Sequence, residues 1–189
     1  MIAWLVDHIK NNKDGLIEKS REMTVTWSVL LVFQWLWQFG DSGNDYLLGS
    51  ETADDVYKNG DPRALFSKLR YNLVRQPSYL LPIGFDINKH YGFMKLVNPV
   101  TESAIVGESN NLDFSRNSRQ SAILYDEFAF WRHTDEFAWE SGSDTSKTKI
   151  AVSTANGKNN YFYKLRDKQI GNIDVLRLHW KLHPEKNDK

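Results

Sequence analysis

The sequence contains no cysteine among its 189 residues. Disulfides, thiolate zinc sites and cysteine nucleophiles are therefore excluded together, and a reducing compartment, the cytoplasm, is the expected location. It also lacks net charge, with 24 Lys+Arg against 24 Asp+Glu, so a polybasic coat for nucleic acid is ruled out and any DNA contact must be patchy. Long hydrophobic runs are missing too. The longest, Trp27 to Phe39, covers 13 residues and is broken by Ser28, Gln34 and Gln38, too short to span a bilayer. The opening MIAWLVDHIKNN lacks the charged start and small-residue cleavage site of a secretory signal. What is present is globular: 41% hydrophobic and 25% charged residues with seven Trp. A chain of this length buries roughly 70% of its unfolded surface, enough for one domain with a full core.

Short β-type runs alternate with helical patterns, which predicts an α/β fold with a mostly parallel central sheet flanked by helices. Strands are expected at Leu16 to Glu18, Tyr46 to Gly49, Ala122 to Tyr125, Lys149 to Ser153 and Ile173 to Trp180. An antiparallel hairpin addition is expected from Phe93 to Asn98 and Ser103 to Glu108, around Asn98-Pro99. Trp27 to Phe39 is apolar almost all round and reads as a buried helix, its Trp27, Trp35 and Trp37 serving the core, ended by a left-handed Gly40. Asp61-Pro62 opens a second helix that places Leu65, Phe66, Leu69 and Leu73 on one face and ends near Arg75. Its Arg63, Lys68, Arg70 and Arg75 read as a solvated surface rather than a DNA contact. Asn159 to Gln169 is a third helix, stopped by Gly171, and HPEKNDK at the end is a polar tail.

Three segments fall at predicted strand ends, where ligands bind in such sheets. KSREMTVT, Lys19 to Thr26, has the length and position of a GxxxxGK[ST] phosphate loop. Thr26 supplies the hydroxyl that would hold Mg²⁺, and the following helix offers its N-terminal N–H groups to a polyphosphate. Both signature glycines are absent, however, and Val25 stands where the lysine belongs, so the loop taken alone reads as a surface turn rather than a nucleotide site. AILYDEFAFW delivers Asp126 and Glu127, neighbours that a strand points to opposite faces. Asp126 suits a Mg²⁺ shell and Glu127 the activation of an attacking water; a solvated turn is the plain alternative. KIAVSTANGKNNYFY ends its strand in Ser153, Thr154 and Asn156, short polar groups able to sense a γ-phosphate, or simply to make a polar turn. His179 and His183 are spoiled as a metal pair by Pro184, and His8, His90 and His133 have no catalytic partners in sequence.

Together these residues resemble the ATPase domain of the terminase large subunit family, the DNA-packaging motors of tailed phages and herpesvirus-type viruses. LIEKSREMTVTW looks like that family's variant Walker A loop. YLLGSETADDV, KLRYNLVRQPSYLLP, FMKLVNPVTESAIVGES, SRQSAILYDEFAFW, VSTANGKNNYFYKL and RLHWKLHPEKNDK resemble the segments that follow, in order. The resemblance implies a P-loop ATPase domain over residues 1–180, with 181–189 leading toward a nuclease domain that this chain does not carry, so DNA cleavage is not expected. It implies ATP and Mg²⁺ as cofactors, with nucleotide held by Lys19, Ser20, Arg21, Glu22, Met23, Thr24, Val25 and Thr26, and metal by Thr26 and Asp126. Glu127 and Asp126 match the Walker B pair, Arg21 the early arginine of the variant loop, and Ser153, Thr154 and Asn156 the coupling motif. Arg116 matches an arginine acting across a subunit boundary, with Arg119 as the neighbouring candidate. Implied partners are double-stranded DNA, a portal protein, a small terminase subunit and further copies in a ring, with no membrane, in the cytoplasm of an infected host.

The departures from that pattern are Thr24 in place of a late glycine, the missing glycines around FSRNSR, and the absence of an upstream adenine-contacting segment. They keep open a folded terminase piece that binds portal or DNA without turning over ATP. A helicase-like nucleic-acid ATPase would share the loop and the acid pair.

Overall fold

The computed structural model describes residues 1–116 and 119–183; residues 184–189 of the expected polar tail lie outside them. The chain opens with helix α1 (Ile2–Lys10), then β1 (Gly15–Lys19), α2 (Val25–Phe39) and β2 (Tyr46–Ser50). The single-turn α3 (Ala53–Val56), α4 (Leu65–Arg75) and a second single turn, α5 (Ile87–His90), lead to β3 (Tyr91–Gly92), β4 (Lys95–Val97) and β5 (Ala104–Ser109). Then follow β6 (Ala122–Asp126), α6 (Asp135–Thr145), β7 (Lys149–Ser153), α7 (Tyr161–Arg166) and β8 (Asp174–Leu178).

All eight strands join one sheet in the order β3-β4-β5-β2-β6-β7-β1-β8. The pairings β5/β2, β2/β6, β6/β7, β7/β1 and β1/β8 are parallel, and β3/β4 and β4/β5 are antiparallel. This is the expected mostly parallel sheet with a hairpin added at one edge. Its central strands are buried on both faces, as parallel sheets require, and strand alternation sorts their side chains into two cores. Ile17, Leu48, Leu124, Ile150 and Val152 meet α1, α2 and α4 on one side, where Phe33, Trp37, Phe66 and Leu69 are fully buried. Leu16, Leu47, Ile123, Tyr125 and Ala151 meet Trp139 and Phe162, from α6 and α7, on the other. Each such aliphatic or aromatic side chain contributes about 1.5–3 kcal/mol by leaving water. Gly49 matters by what it omits: a Cβ there would lie 2.5 Å from the Phe114 ring.

The hairpin turn is organised by Asn98, which is buried; its carboxamide oxygen accepts from Val100 N and Thr101 N, and its nitrogen donates to Trp37 O. Asp61-Pro62 does not open α4, which begins at Leu65 behind Ala64; Asp61 instead accepts from Arg63 N in the turn before the helix. Other expectations change at α2. Gly40 is extended (φ −82°, ψ 179°) and not left-handed, its N–H closing the last turn onto Leu36 O. The helix before it is not buried all round: Leu31, Trp35 and Phe39 form an exposed stripe, because α1 and α4 flank α2 without covering its outer face. Of the three tryptophans only Trp37 is fully buried. Trp27 packs edge-on to Tyr71, and Lys10 lies over Trp35.

Candidate active site

Parallel pairing brings the C-terminal ends of β1, β7 and β6 to one sheet edge. There Glu18 registers with Ser153, and Val152 with Asp126. The strand carrying Ser153 therefore stands between the loop strand and the acid strand. Over this edge opens a cavity of about 1140 Å³ whose lining includes Lys19, Thr24, Thr26, Asp126, Glu127 and Asn156.

The loop between β1 and α2 is tied down at its start, where Ser20 N donates to Leu178 O and Ser20 Oγ accepts from Trp180 N. Without glycines it turns through left-handed Glu22 (φ 60°) and Thr24 (φ 52°), conformations that cost a side-chain-bearing residue about 1–2 kcal/mol. Thr24 makes no side-chain capping bond to α2, and Thr24 to Trp27 at that helix end line the cavity, where the first N–H groups of a helix suit an anion. Val25 is 1% exposed and belongs to the core. At the next residue, Thr26 Oγ1 donates to Asp126 Oδ1 at 2.8 Å.

On the opposite wall Asp126 is buried. Burial first, then the neighbouring Glu127 charge, push its carboxyl up to about 6, against the Thr26 hydrogen bond and the charges of Lys68 and Lys19. The strand ends there. Glu127 is left-handed (φ 49°, ψ 42°), so it does not simply project from the opposite face as strand alternation predicts; its carboxylate lies beside the end of β7. Its Oε1 receives Lys19 Nζ at 2.7 Å, while Ser153 Oγ and Thr154 N lie 3.4 Å from Oε2. Ser153 Oγ also accepts from Ala129 N, and Asn156 Nδ2 donates to Ala129 O. The three coupling candidates are thus bonded to Glu127 or to the turn that follows it.

Of the expected loop residues, Lys19, Glu22, Met23, Thr24, Val25 and Thr26 line the cavity, whereas Ser20 and Arg21 do not, and Arg21 is exposed. Arg116 is exposed and pairs with Asp113 at 3.3 Å beside a separate 270 Å³ hollow. Arg119 is exposed as well. The lining also holds Glu51, Asp55, Arg63, Lys68 and Asn160, none singled out for this site from sequence. Lys68 is visible there only as one cation on a basic helix; its place next to Leu69 on the buried stripe is the signal. No ready-made cage of three or more His, Asp or Glu exists among the described residues. Thr26 and Asp126 nonetheless fit Mg²⁺, which takes few protein oxygens and completes its shell with phosphates and water. The fit rests on a hydroxyl beside a buried carboxylate whose charge is poorly compensated.

No family model matches this sequence, and no curated protein is similar to it at sequence level. Solved structures are similar in fold. The large terminase of a thermophilic bacteriophage, in complex with ADP, aligns at TM-score 0.60 and 14% identity over 93% of this chain and 44% of its own. The large terminase ATPase domain of Thermus phage P74-26 aligns at TM-score 0.59 and 15% identity, over 93% of this chain and 80% of its own. A Sulfolobus solfataricus SWI2/SNF2 ATPase core in complex with double-stranded DNA aligns at TM-score 0.50 and 13% identity, over 97% and 44%. The chain thus spans less than half of the ADP-bound terminase and most of the P74-26 ATPase domain. These alignments show that the chain has the fold of the ATPase domain of phage large terminases.

Proposed function

We propose that the chain is a Mg²⁺-dependent ATPase, the motor domain of a DNA-packaging terminase large subunit. The observation that carries this reading is the meeting of Lys19, Thr26, Asp126, Glu127 and Asn156 around one cavity at the sheet edge, with Ser153 directly behind Glu127. Bound magnesium would neutralise phosphate charge between Thr26 and Asp126. Lys19 leaves Glu127 for the incoming phosphates, and Arg21 adds charge from the outer side of the loop. Released from Lys19, the Glu127 carboxylate takes a proton from water as the water oxygen bonds to the γ-phosphorus and the bond to the bridging oxygen breaks, giving ADP and phosphate. The Ser153 hydroxyl and the Asn156 amide, bonded to Glu127 and to Ala129 in its turn, pass the change onward, and Arg116 serves a neighbouring copy from its exposed loop.

In this reading hydrolysis moves double-stranded DNA into a procapsid, with a portal protein, a small subunit and a ring of copies as partners in the host cytoplasm. The ADP in the thermophilic phage terminase and the DNA on the Sulfolobus core support the nucleotide and the DNA. No helix among the described residues is long and apolar enough to cross a membrane. The test is ATP hydrolysis by wild type, Glu127→Ala and Arg21→Ala, with Mg²⁺ or chelator and with or without DNA. Loss of rate in Glu127→Ala supports the reading. Equal background rates in all three support the second one, a binding module without turnover, which the Lys19–Glu127 ion pair and the buried Val25 favour. Unwinding of a forked duplex would move the assignment to a helicase-like ATPase.

A further inference from the structure

A phosphate loop needs a cation that follows the terminal phosphate, and this loop has Val25 where that cation would stand, sealed in the core at 1% exposure. Lys19, the cation at the loop's start, is held by Glu127 at 2.7 Å. Across the cavity, α4 supplies another. Leu65, Phe66, Leu69 and Leu73 bury one face of α4 against the sheet, and this fixes the side of the helix from which Lys68 reaches the lining. The Lys68 ammonium donates to the Arg63 carbonyl, and among the described residues it forms no ion pair. It is half-buried; burial lowers its pKa, and the carboxylates that pull the other way are led by Asp126 and include Glu127. A partly desolvated ammonium with spare donors, in the field of the two acids yet bonded to neither, is poised for an anion. Arg63 lines the same wall but is already paired with Asp61 at 2.8 Å.

We propose that Lys68 is the phosphate-sensing lysine of this site, delivered by α4 and facing the terminal phosphate of a nucleoside triphosphate where the loop offers Val25. The inference rests on the ATPase reading and adds to it a residue, and a preference for triphosphate over diphosphate. The test is equilibrium binding of fluorescent ATP and ADP analogues, with Mg²⁺, to wild type, Lys68→Gln and Lys68→Arg. A charge-assisted hydrogen bond of this kind is worth roughly a tenfold to hundredfold in affinity. Lys68→Gln should lose that much for the triphosphate and less than about threefold for the diphosphate, which lacks the contact. Lys68→Arg, which keeps the charge, should restore most of the loss and stands in if the glutamine variant misfolds by circular dichroism. Equal triphosphate affinity in wild type and Lys68→Gln, or an arginine variant as weak as glutamine, overturns the role of Lys68 and leaves the ATPase reading standing. A wild type that binds neither analogue overturns both.

Discussion

The two walls of the cavity are built on different physical terms. The acid wall is a network: Asp126 is held by Thr26, Glu127 by Lys19 with Ser153 and Thr154 close by, and the following turn by Ser153 and Asn156. The loop wall is tied at Ser20 and then turns through two left-handed residues that carry side chains, Glu22 and Thr24. The acid wall has a left-handed residue too, Glu127, but one anchored through its carboxylate to Lys19. That wall is preorganised, as electrostatic catalysis demands, while the loop wall carries its strain at two successive turns where a glycine would carry none. Chemistry should therefore be most sensitive on the acid side, and affinity most improvable on the loop side.

The largest effect expected is at Glu127. Glu127→Gln keeps the shape, removes the base and leaves Lys19 a neutral partner, so turnover should fall roughly 10²- to 10⁴-fold while nucleotide affinity holds or rises. Steady-state phosphate release measured beside analogue binding checks this. A fall in rate and affinity together would mean that the two walls are not separable.

Next comes Asp126. Its carboxyl is pushed up to about 6 from 3.8, so in metal-free protein the folded state holds the proton more tightly than the unfolded chain. Stability from this group is complete below about pH 4, declines as pH rises through about 6, and stays lost above it, an effect on the order of 3 kcal/mol. Asp126→Asn cannot ionise. In chelator it should melt about 5–10 °C above wild type at pH 7.5, with little difference at pH 4, while losing Mg²⁺-dependent turnover. Calorimetry at the two pH values decides it; an advantage of the same size at both would remove ionisation as the cause.

This contrast also governs how much the sequence could reveal. The strands before Asp126 and Ser153 were legible as short apolar runs, since both of their faces are buried, and the Leu65–Leu73 stripe because burial on one helix face imposes a period. Short polar groups at strand ends were legible because the sheet gathers them. Helix α1 was readable in principle from Ile2, Leu5, Val6 and Ile9. Helix α6 was not, since DEFAWESGSDT has weak helical preference and is held by the packing of Ala138, Trp139 and Gly142. The left-handed turn at Glu127, and the meeting of Lys68 with acids far away in sequence, are tertiary facts. No local pattern encodes them.

Loop strain predicts a smaller effect with the opposite sign. Thr24 makes no capping bond to α2, its hydroxyl being occupied by Met23 O, so Thr24→Gly removes a conformational penalty and little else. It should stabilise the protein by about 1 kcal/mol, a melting shift of about 2–4 °C, and tighten triphosphate binding by letting the backbone approach. A destabilised Thr24→Gly would mean that the left-handed turn is held by contacts worth more than its strain.

The smallest effect is that of Arg21, read against its loop neighbour Lys19. Lys19 is nearly buried and Arg21 exposed, so a phosphate meets the first with little screening and the second through solvent. Lys19→Ala should weaken triphosphate binding by roughly tenfold or more at any salt concentration, while Arg21→Ala should cost about threefold at low salt and nothing measurable near about 0.5 M. Titrations at two ionic strengths read both. An Arg21 effect that survives high salt would show that the loop closes over bound nucleotide and buries the guanidinium. The loop wall would then be as organised as the acid wall once nucleotide binds, and the difference between them would vanish in the complex.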